Sequence, residues 1–199
     1  MRRARSECRE LPHGRLAEDE GPPAVRQLND PGRVRLFTAL WPDPAARAQL
    51  AALRDAWSWT PTARPVADAN LHATLHFIGA FPGDSLAELG AALATVPVEP
   101  VRLRPTGSEV FRGGIAVALL EPEPSLLALH VRVGVVLVGL GVALEARPYR
   151  PHVTLARKAG GSRPPERLPA LAWRADGFAL VRSRGESYQV LANLGAGFT

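Results

Sequence analysis

A four-residue pattern that occurs twice constrains the fold of this chain more than any other feature. Residues 72–75 read His-Ala-Thr-Leu, and residues 152–155 read His-Val-Thr-Leu. Each copy lies in a strand-like segment, one in each half of the region that we expect to fold. Because side chains alternate across a strand, the histidine and the threonine of each copy share one face. Two halves related by a pseudo-twofold axis would bring both copies to one cleft.

Apolar periodicity and turn signals along the chain predict an α+β fold. Strands are interleaved with helices, and the short glycine turns favour antiparallel pairing. Helices are predicted to begin at the capping pattern Asp43-Pro44 and at the capping box of Ser85 with Glu88, and a third is predicted to run from Ser125 toward Leu140. The predicted strands cover residues 34–40, 71–78, 101–111, 115–120, 152–156, 173–181 and 187–194. The second of these strands is expected to end at Gly79.

Residues 1–32 differ in composition from the rest of the chain. They hold few large apolar residues, show no sustained periodicity and end in Asn-Asp-Pro-Gly. We therefore expect a disordered extension over residues 1–32 and a folded domain of two lobes over residues 33–199. The extension holds six arginines and six acidic residues, so the net charge of +5 belongs to the folded part. A modest positive field suits a polyanion such as RNA, although many basic proteins bind no nucleic acid.

The composition argues against a membrane-spanning or secreted protein. The longest apolar run, residues 133–144, has 12 residues, whereas a membrane-spanning helix needs roughly 20. The N-terminus lacks the apolar stretch of a secretory signal. The single cysteine, Cys8, can form neither an internal disulfide nor a cysteine-based metal cluster. We expect a cytoplasmic protein without membrane contact, and a monomer by default.

An imidazole beside a hydroxyl, presented twice, suits the opening of a cyclic phosphodiester by water. One base must deprotonate the water, and one acid must protonate the departing alkoxide. Imidazole has an ordinary pKa near 6.5 and can serve in either role near neutral pH. The threonine hydroxyls can donate hydrogen bonds to the non-bridging oxygens as negative charge develops. The spacing alone leaves a purely structural role for these residues open, since a lone His-x-Thr in a strand is usually unremarkable.

His72 and His76 also form an H-x3-H pattern, which binds zinc when it lies on a helix. On a strand, four residues at about 3.3 Å each place the two side chains roughly 13 Å apart, too far for one ion. The surrounding sequence favours a strand, so we expect no metal and no other cofactor. His130 falls in an apolar helix and has no predicted role.

The sequence around both copies resembles the two-histidine phosphoesterase superfamily. Within that superfamily, it is similar to the bacterial RNA 2′,3′-cyclic phosphodiesterases, historically called 2′-5′ RNA ligases. The resemblance is carried by the two His-x-Thr-Leu copies and by residues 147–157, Arg-Pro-Tyr-Arg-Pro-His-Val-Thr-Leu-Ala-Arg. Residues 35–40, 109–114 and 188–191 support it, and it covers residues 34–194 in all. It implies a bilobal α+β fold in which two antiparallel sheets line a central cleft, with the helices outside.

The resemblance also implies metal-independent hydrolysis of a terminal 2′,3′-cyclic phosphate to a 2′-phosphate, with 2′-5′ ligation as the reverse reaction. By position in the motifs, His72 would donate a proton to the departing 3′-oxygen and His152 would accept one from water. The reverse ligation exchanges these two roles. The residues implied to bind the substrate are Thr74, Thr154 and Arg157.

Three further residues are candidates for substrate binding. His76 stands where the family commonly has arginine, and strand alternation places it on the face of His72. There it would either line the cleft or lie at the rim of the cleft in water. Phe37 and Tyr149 are candidates for the aromatic side chain that would hold a terminal base.

Two alternatives to an RNA phosphodiesterase remain open on the residues alone. The same site could act on a small cyclic nucleotide or on ADP-ribose cyclic phosphate. The cleft could also bind RNA or a nucleotide without turnover. The presence of both histidines and both threonines argues against a binding module, and the positive charge favours RNA over a smaller substrate.

Overall fold

The computed structural model describes residues 32–168, 171–185 and 187–195. The predicted extension over residues 1–32 therefore lies outside the described residues, except for Gly32. Within these ranges the helices are α1 (Pro44–Asp55), α2 (Leu86–Ala94) and α3 (Pro124–Gly139). The strands are β1 (Arg33–Leu40), β2 (Arg64–Pro65), β3 (Ala73–Pro82), β4 (Val101–Leu103), β5 (Pro105–Phe111), β6 (Ile115–Leu120), β7 (His152–Arg157), β8 (Trp173–Ala175), β9 (Gly177–Arg184) and β10 (Ser187–Gly195).

The strands form a large antiparallel sheet in the order β10-β9-β1-β3-β7-β6-β5, with β2 added beside β7. A separate two-stranded antiparallel sheet contains β4 and β8. The large sheet has two halves, β10-β9-β1-β3 and β7-β6-β5. Among the described residues, Ala73 and Val153 are the pair that joins them. The predicted α+β class with antiparallel sheets is confirmed, and the halves meet where the two sequence copies lie.

All three helices begin within a residue of their predicted starts, but of the three only α1 has a side-chain cap. Asp43 accepts a hydrogen bond from the Ala46 amide at 2.7 Å and caps α1 as expected, and α3 begins within a residue of its predicted start. The capping box at Ser85 is wrong. The backbone of Ser85 is not extended, with φ −92° and ψ 8°, and its hydroxyl donates to the neighbouring Asp84 carboxylate at 3.4 Å instead of capping α2.

Gly79 does not end the second predicted strand. It adopts a φ of 77°, which glycine tolerates without strain. At this point β3 has one residue more than β1, because Leu36 pairs with Gly79 while Phe37 pairs with Phe77. The glycine therefore accommodates a β-bulge, and β3 continues to Pro82.

Two predicted strands are each divided between the two sheets. Residues 101–103 pair with β8, while Pro105–Phe111 pair with β6 across the predicted hairpin. In the same way, residues 173–175 pair with β4 and Gly177–Arg184 pair with β1 and β10. The breaks follow from these long-range partners, which local sequence does not specify.

The main hydrophobic core lies between the large sheet and the helices. Its fully buried residues include Leu50 from α1, Leu89 from α2 and Leu129 from α3. A second, smaller cluster lies on the opposite face of β1 and β9 and contains Phe37, Ala39, Ala179 and Val181. The sheet is thus covered by helices on one face and carries a local apolar layer on the other. No helix among the residues described is long and apolar enough to cross a membrane.

A buried arginine ties α1 to the segment that carries β2. The Arg54 side chain donates to the Val66 carbonyl at 2.6 Å and pairs with the carboxylates of Asp55 at 2.8 Å and Asp68 at 2.5 Å. These carboxylates raise the pKa of Arg54, and Arg54 is only 9% exposed. Since Val66 directly follows β2, this contact fixes the position of β2 beside β7.

We predict that Arg54→Met lowers the free energy of unfolding by about 1–3 kcal/mol, because it removes a buried charged donor from the partly buried Val66 carbonyl. Urea denaturation followed by circular dichroism measures this loss. The exposed Arg102→Met, on β4, is the matched control and should change the value by less than about 0.5 kcal/mol. Equal effects of the two substitutions would contradict the anchoring role.

Candidate active site

The two sequence copies have the same surroundings in the fold. Residues 71–77 and 151–157 show an identical order of exposure: buried, half-buried, buried, half-buried, buried, buried, exposed. The copies run antiparallel, and Ala73 is paired with Val153 at the centre of both. A local twofold axis therefore passes through this residue pair.

This pairing determines which side chains share a face. Ala73 and Val153 are both fully buried in the main core. Their neighbours along each strand point to the opposite face of the sheet. His72, Thr74, His152 and Thr154 therefore all lie on the face away from the core, as the alternation within each copy predicted.

Both imidazoles are anchored in the same way. Nδ1 of His72 lies 2.7 Å from the Asn70 carbonyl, and Nδ1 of His152 lies 2.7 Å from the Arg150 carbonyl. A carbonyl oxygen only accepts, so each Nδ1 carries a proton and donates it. Nε2 is then the ring atom of each histidine that can gain or lose a proton at the substrate.

A β-bulge follows the threonine in each copy. On β3, Thr74 pairs with Ala39 and His76 pairs with Thr38, so Leu75 is the extra residue. On β7, Leu155 is extra in the same way, opposite the step from Val117 to Ala116 of β6. Each bulge reverses the alternation of the residues that follow it.

The reversal corrects the prediction for His76. Instead of lining the cleft with His72, its ring is buried toward α3, where Nε2 donates to the His130 carbonyl at 2.8 Å. The His76 and His130 rings stack at 4.0 Å. Burial lowers the pKa of both histidines, that of His130 to about 4, so both are neutral near pH 7.

Tyr149 also lies behind the strand rather than in the cleft. Its ring stacks on His130 at 3.9 Å, and its hydroxyl donates to the Thr74 carbonyl at 3.1 Å. Burial raises the pKa of Tyr149 further above its usual range, so the hydroxyl stays protonated. Tyr149 therefore supports the backbone of β3, and the predicted contact with a terminal base is wrong for this residue.

The residues that do reach the cleft after the bulges are Phe77 and Arg157. Both are exposed, five positions after His72 and His152 respectively. Phe77 was missed in the sequence analysis, although the offset that selected Arg157 from His152 also gives Phe77 from His72. The pairing of β3 with β1 supports this placement, since Phe77 lies opposite Phe37 on the same face.

His72 lies among aromatic rings. Phe37 stacks on it at 5.0 Å, Trp41 stacks at 5.2 Å with the rings 8° from parallel, and Tyr188 meets it edge-on at 5.3 Å. The pKa of His72 is lowered from 6.5 to about 4, chiefly by burial and in part by the charges of His152 and Arg157, while the hydrogen bond to Asn70 opposes this shift. In the free protein His72 is therefore neutral at pH 7.

His152 has a more open setting. Phe111 meets its ring edge-on at 5.2 Å. The Arg150 guanidinium lies 4.8 Å above the Phe111 ring and pairs with Glu109 at 2.6 Å. The two imidazoles are thus anchored alike but differ in the polarity of their surroundings.

A cavity of about 700 Å³ adjoins the His72 side of the site. Phe37 and Tyr188 line this cavity and contact His72, and Arg157 lines it from β7. Of the predicted substrate-binding residues, the cavity contains Phe37 and Arg157. The lining residues that sequence reasoning missed include Arg35, Arg64, Phe77, Lys158 and Tyr188.

Among the described residues, no three His, Cys, Asp or Glu side chains converge as metal ligands would. The bulge at Leu75 turns His72 and His76 to opposite faces of β3. The two rings therefore do not share the face on which the sequence pattern placed them.

Comparison with protein families identifies the superfamily of the chain. The family model described as the 2′-5′ RNA ligase superfamily matches residues 41–186, which include both His-x-Thr-Leu copies. The chain belongs to the 2′-5′ RNA ligase superfamily. The resemblance stated from the motifs is thereby confirmed.

Individual members of the superfamily match over most of the chain. A protein of Thermus thermophilus named RNA 2′,3′-cyclic phosphodiesterase is 37% identical over 178 residues, covering 79% of this chain and 88% of its own length. One of Aeropyrum pernix with the same name is 33% identical, covering 62% of this chain and 71% of its own. The crystal structure of E. coli LigT with 3′-AMP has a TM-score of 0.69 at 24% identity, and the match covers 82% of this chain and 98% of that one. This structural likeness shows that the superfamily fold is shared.

We predict that the Cε1–H resonance of His72 titrates with a midpoint near pH 4 in the free protein. Sulfate, a dianion over this pH range, should raise that midpoint, because a nearby anion favours the charged imidazole. NMR pH titrations without and with sulfate measure the midpoint and its shift. The resonance is assigned by its absence in His72→Gln. A midpoint near 6.5 that sulfate leaves unchanged would refute the buried aromatic setting.

Proposed function

We propose that this chain hydrolyses RNA 2′,3′-cyclic phosphate ends to 2′-phosphates, with His72 and His152 as its acid/base pair. The single observation that carries the proposal is the pair of imidazoles on one face of the sheet, related by a local twofold axis. Each is held through Nδ1 by the carbonyl two residues before it. The names of the similar Thermus and Aeropyrum proteins support the same substrate.

The proposed reaction needs only proton transfers by these two groups. Nε2 of His152 accepts a proton from water while the water oxygen bonds to phosphorus. The bond from phosphorus to the 3′-oxygen breaks, and Nε2 of His72 donates a proton to that oxygen. The product carries a 2′-phosphate and a free 3′-hydroxyl. Thr74 and Thr154, on the same face, donate hydrogen bonds to the non-bridging oxygens.

The donor role of His72 requires that this side chain be protonated when the substrate is bound. Its pKa of about 4 in the free protein would leave it neutral at pH 7. A bound phosphate anion beside the ring raises that pKa and supplies the missing stabilisation of the charged form. In this scheme, binding of the substrate converts His72 to its protonated, proton-donating form.

An RNA end is a better fit than a small cyclic nucleotide because the adjoining cavity is positively charged. Arg157 lines this cavity, carries a charge that acts on His72 and is suited to contact the phosphate. Together with Thr74 and Thr154, it forms our proposed phosphate site. A monomeric enzyme acting in the cytoplasm is the setting that we propose from the sequence.

We predict that His72→Ala and His152→Ala each lower kcat by at least about 100-fold, because each removes one of the two proton-transfer groups. The assay follows an oligoribonucleotide ending in a 2′,3′-cyclic phosphate, with circular dichroism to verify folding. His130→Gln, a histidine behind the sheet, is the control and should retain most of the activity. Folded His72→Ala or His152→Ala protein with activity within tenfold of wild type would exclude the acid/base pair.

The same assay identifies the product by end-group analysis. A 2′-monoester supports the proposed cleavage of the 3′-oxygen bond. A 3′-monoester would show that the proton donor and acceptor are exchanged between His72 and His152, or that the cyclic phosphate binds in the opposite orientation. Turnover of a cyclic mononucleotide but not of the oligonucleotide would favour the small-substrate alternative.

We predict that activity persists in EDTA, since two imidazoles supply both proton transfers without a metal-bound water. The rate is measured after dialysis against EDTA and again after addition of Mg²⁺, Mn²⁺ or Zn²⁺. A rate that EDTA abolishes and a metal restores would refute the metal-independent mechanism.

A further inference from the structure

Four cationic side chains line the cavity beside His72. They come from three separate parts of the chain and are Arg35, Arg64, Arg157 and Lys158. The described lining contains no acidic residue. The volume, about 700 Å³, lies within the range of about 300–1,000 Å³ that is typical of ligand sites.

Two of these cations are held directly opposite each other. Arg64 of β2 pairs with Arg157 of β7 in the antiparallel register. Like charges at opposed positions destabilise a sheet. The pairing nevertheless forms because Val66 donates to the Leu155 carbonyl at 2.8 Å and Arg54 holds the Val66 carbonyl. A bound anion between the two guanidinium groups would offset their repulsion.

The cavity cations also differ from many other arginines in the described fold. Arg54, Arg104, Arg132, Arg147, Arg150 and Arg174 each pair with a carboxylate. None of the four cavity cations forms such an ion pair within the described ranges. Their charge is therefore available to a ligand, and its density at one cavity suits more than one phosphate.

Aromatic rings border the same cavity. Phe77 is 65% exposed, which is unusual for a phenylalanine in a folded protein. Its ring lies 6.3 Å from Phe37, and Tyr188 completes the aromatic edge next to His72. An exposed ring beside a cationic groove is the arrangement on which single-stranded nucleic acids stack their bases.

We propose that this cavity binds the single-stranded RNA immediately 5′ of the cyclic phosphate. Arg35, Arg64 and Lys158 contact the first internucleotide phosphates, and Phe77 stacks against a base. Arg157 lies between this subsite and the reacting phosphate. The inference rests on the proposed function and adds that an oligonucleotide is the preferred substrate over a mononucleotide.

The test compares kcat/KM for a trinucleotide ending in a 2′,3′-cyclic phosphate with kcat/KM for a 2′,3′-cyclic mononucleotide. For wild type we expect the trinucleotide to be favoured by at least about tenfold, since each charged hydrogen bond contributes roughly that factor. Arg35→Gln and Arg64→Gln should each reduce this preference by roughly tenfold. Lys158→Asn should act likewise, because asparagine tolerates the φ of 53° at this position.

Arg102→Gln is the matched control, since it removes an exposed arginine on β4 outside the cavity lining. It should leave both values of kcat/KM unchanged. Phe77→Ser should also reduce the preference for the trinucleotide. Two results would overturn the subsite while leaving the phosphodiesterase proposal intact. One is an equal fall in kcat/KM for the trinucleotide and the mononucleotide in Arg64→Gln. The other is a wild type that does not prefer the trinucleotide.

A binding measurement keeps the subsite testable even if wild type hydrolyses neither substrate, which would refute the phosphodiesterase proposal. Fluorescence anisotropy with a labelled trinucleotide carrying a 3′-phosphate should show weaker affinity for Arg64→Gln than for wild type or Arg102→Gln. The salt dependence of the affinity should also fall by about 0.7 in log–log slope for one lost phosphate contact. Unchanged affinity and slope in Arg64→Gln would overturn the subsite.

Discussion

The antiparallel contact between Ala73 and Val153 is the constraint on which the rest of the site depends. Both side chains are buried in the core, and this burial directs the residues on either side of them to the opposite face. The local twofold axis through this pair gives the two imidazoles matching positions. Among the described residues, this pair is also where the two halves of the large sheet join. A substitution that altered this pair would disturb both histidines together.

The sequence predicted this central part of the site because it depends only on alternation along a strand. The prediction for His76 failed at the next step, since a bulge depends on the register with a partner strand. Thr38 on β1 determines the side to which His76 turns, and no local feature of residues 72–77 reveals that partner. The equivalent bulge at Leu155 shows that the structural repeat extends beyond the four-residue sequence pattern.

For the fold as well, features set by local sequence were predictable, whereas features set by distant strand partners were not. Strand and helix types followed from periodicity and from capping residues such as Asp43. The divided strands at residues 101–111 and 173–181 were not predictable, because their parts pair with different distant partners. Of the cavity cations, Arg157 was predicted, whereas Arg35, Arg64 and Lys158 were missed, since β1, β2 and β7 meet only through the sheet topology. Residues that share a site without a shared motif leave little signal in a single sequence.

The different surroundings of the two histidines have a consequence for regiochemistry. A perfectly symmetric site would accept a cyclic phosphate in two equivalent orientations and could release either of its ester oxygens. The rings of Phe37 and Trp41 beside His72, without counterparts of the same kind among the described neighbours of His152, remove this equivalence. Under the proposed function, the unequal packing around the two imidazoles would therefore select a single product isomer, although both rings are anchored through Nδ1 in the same way.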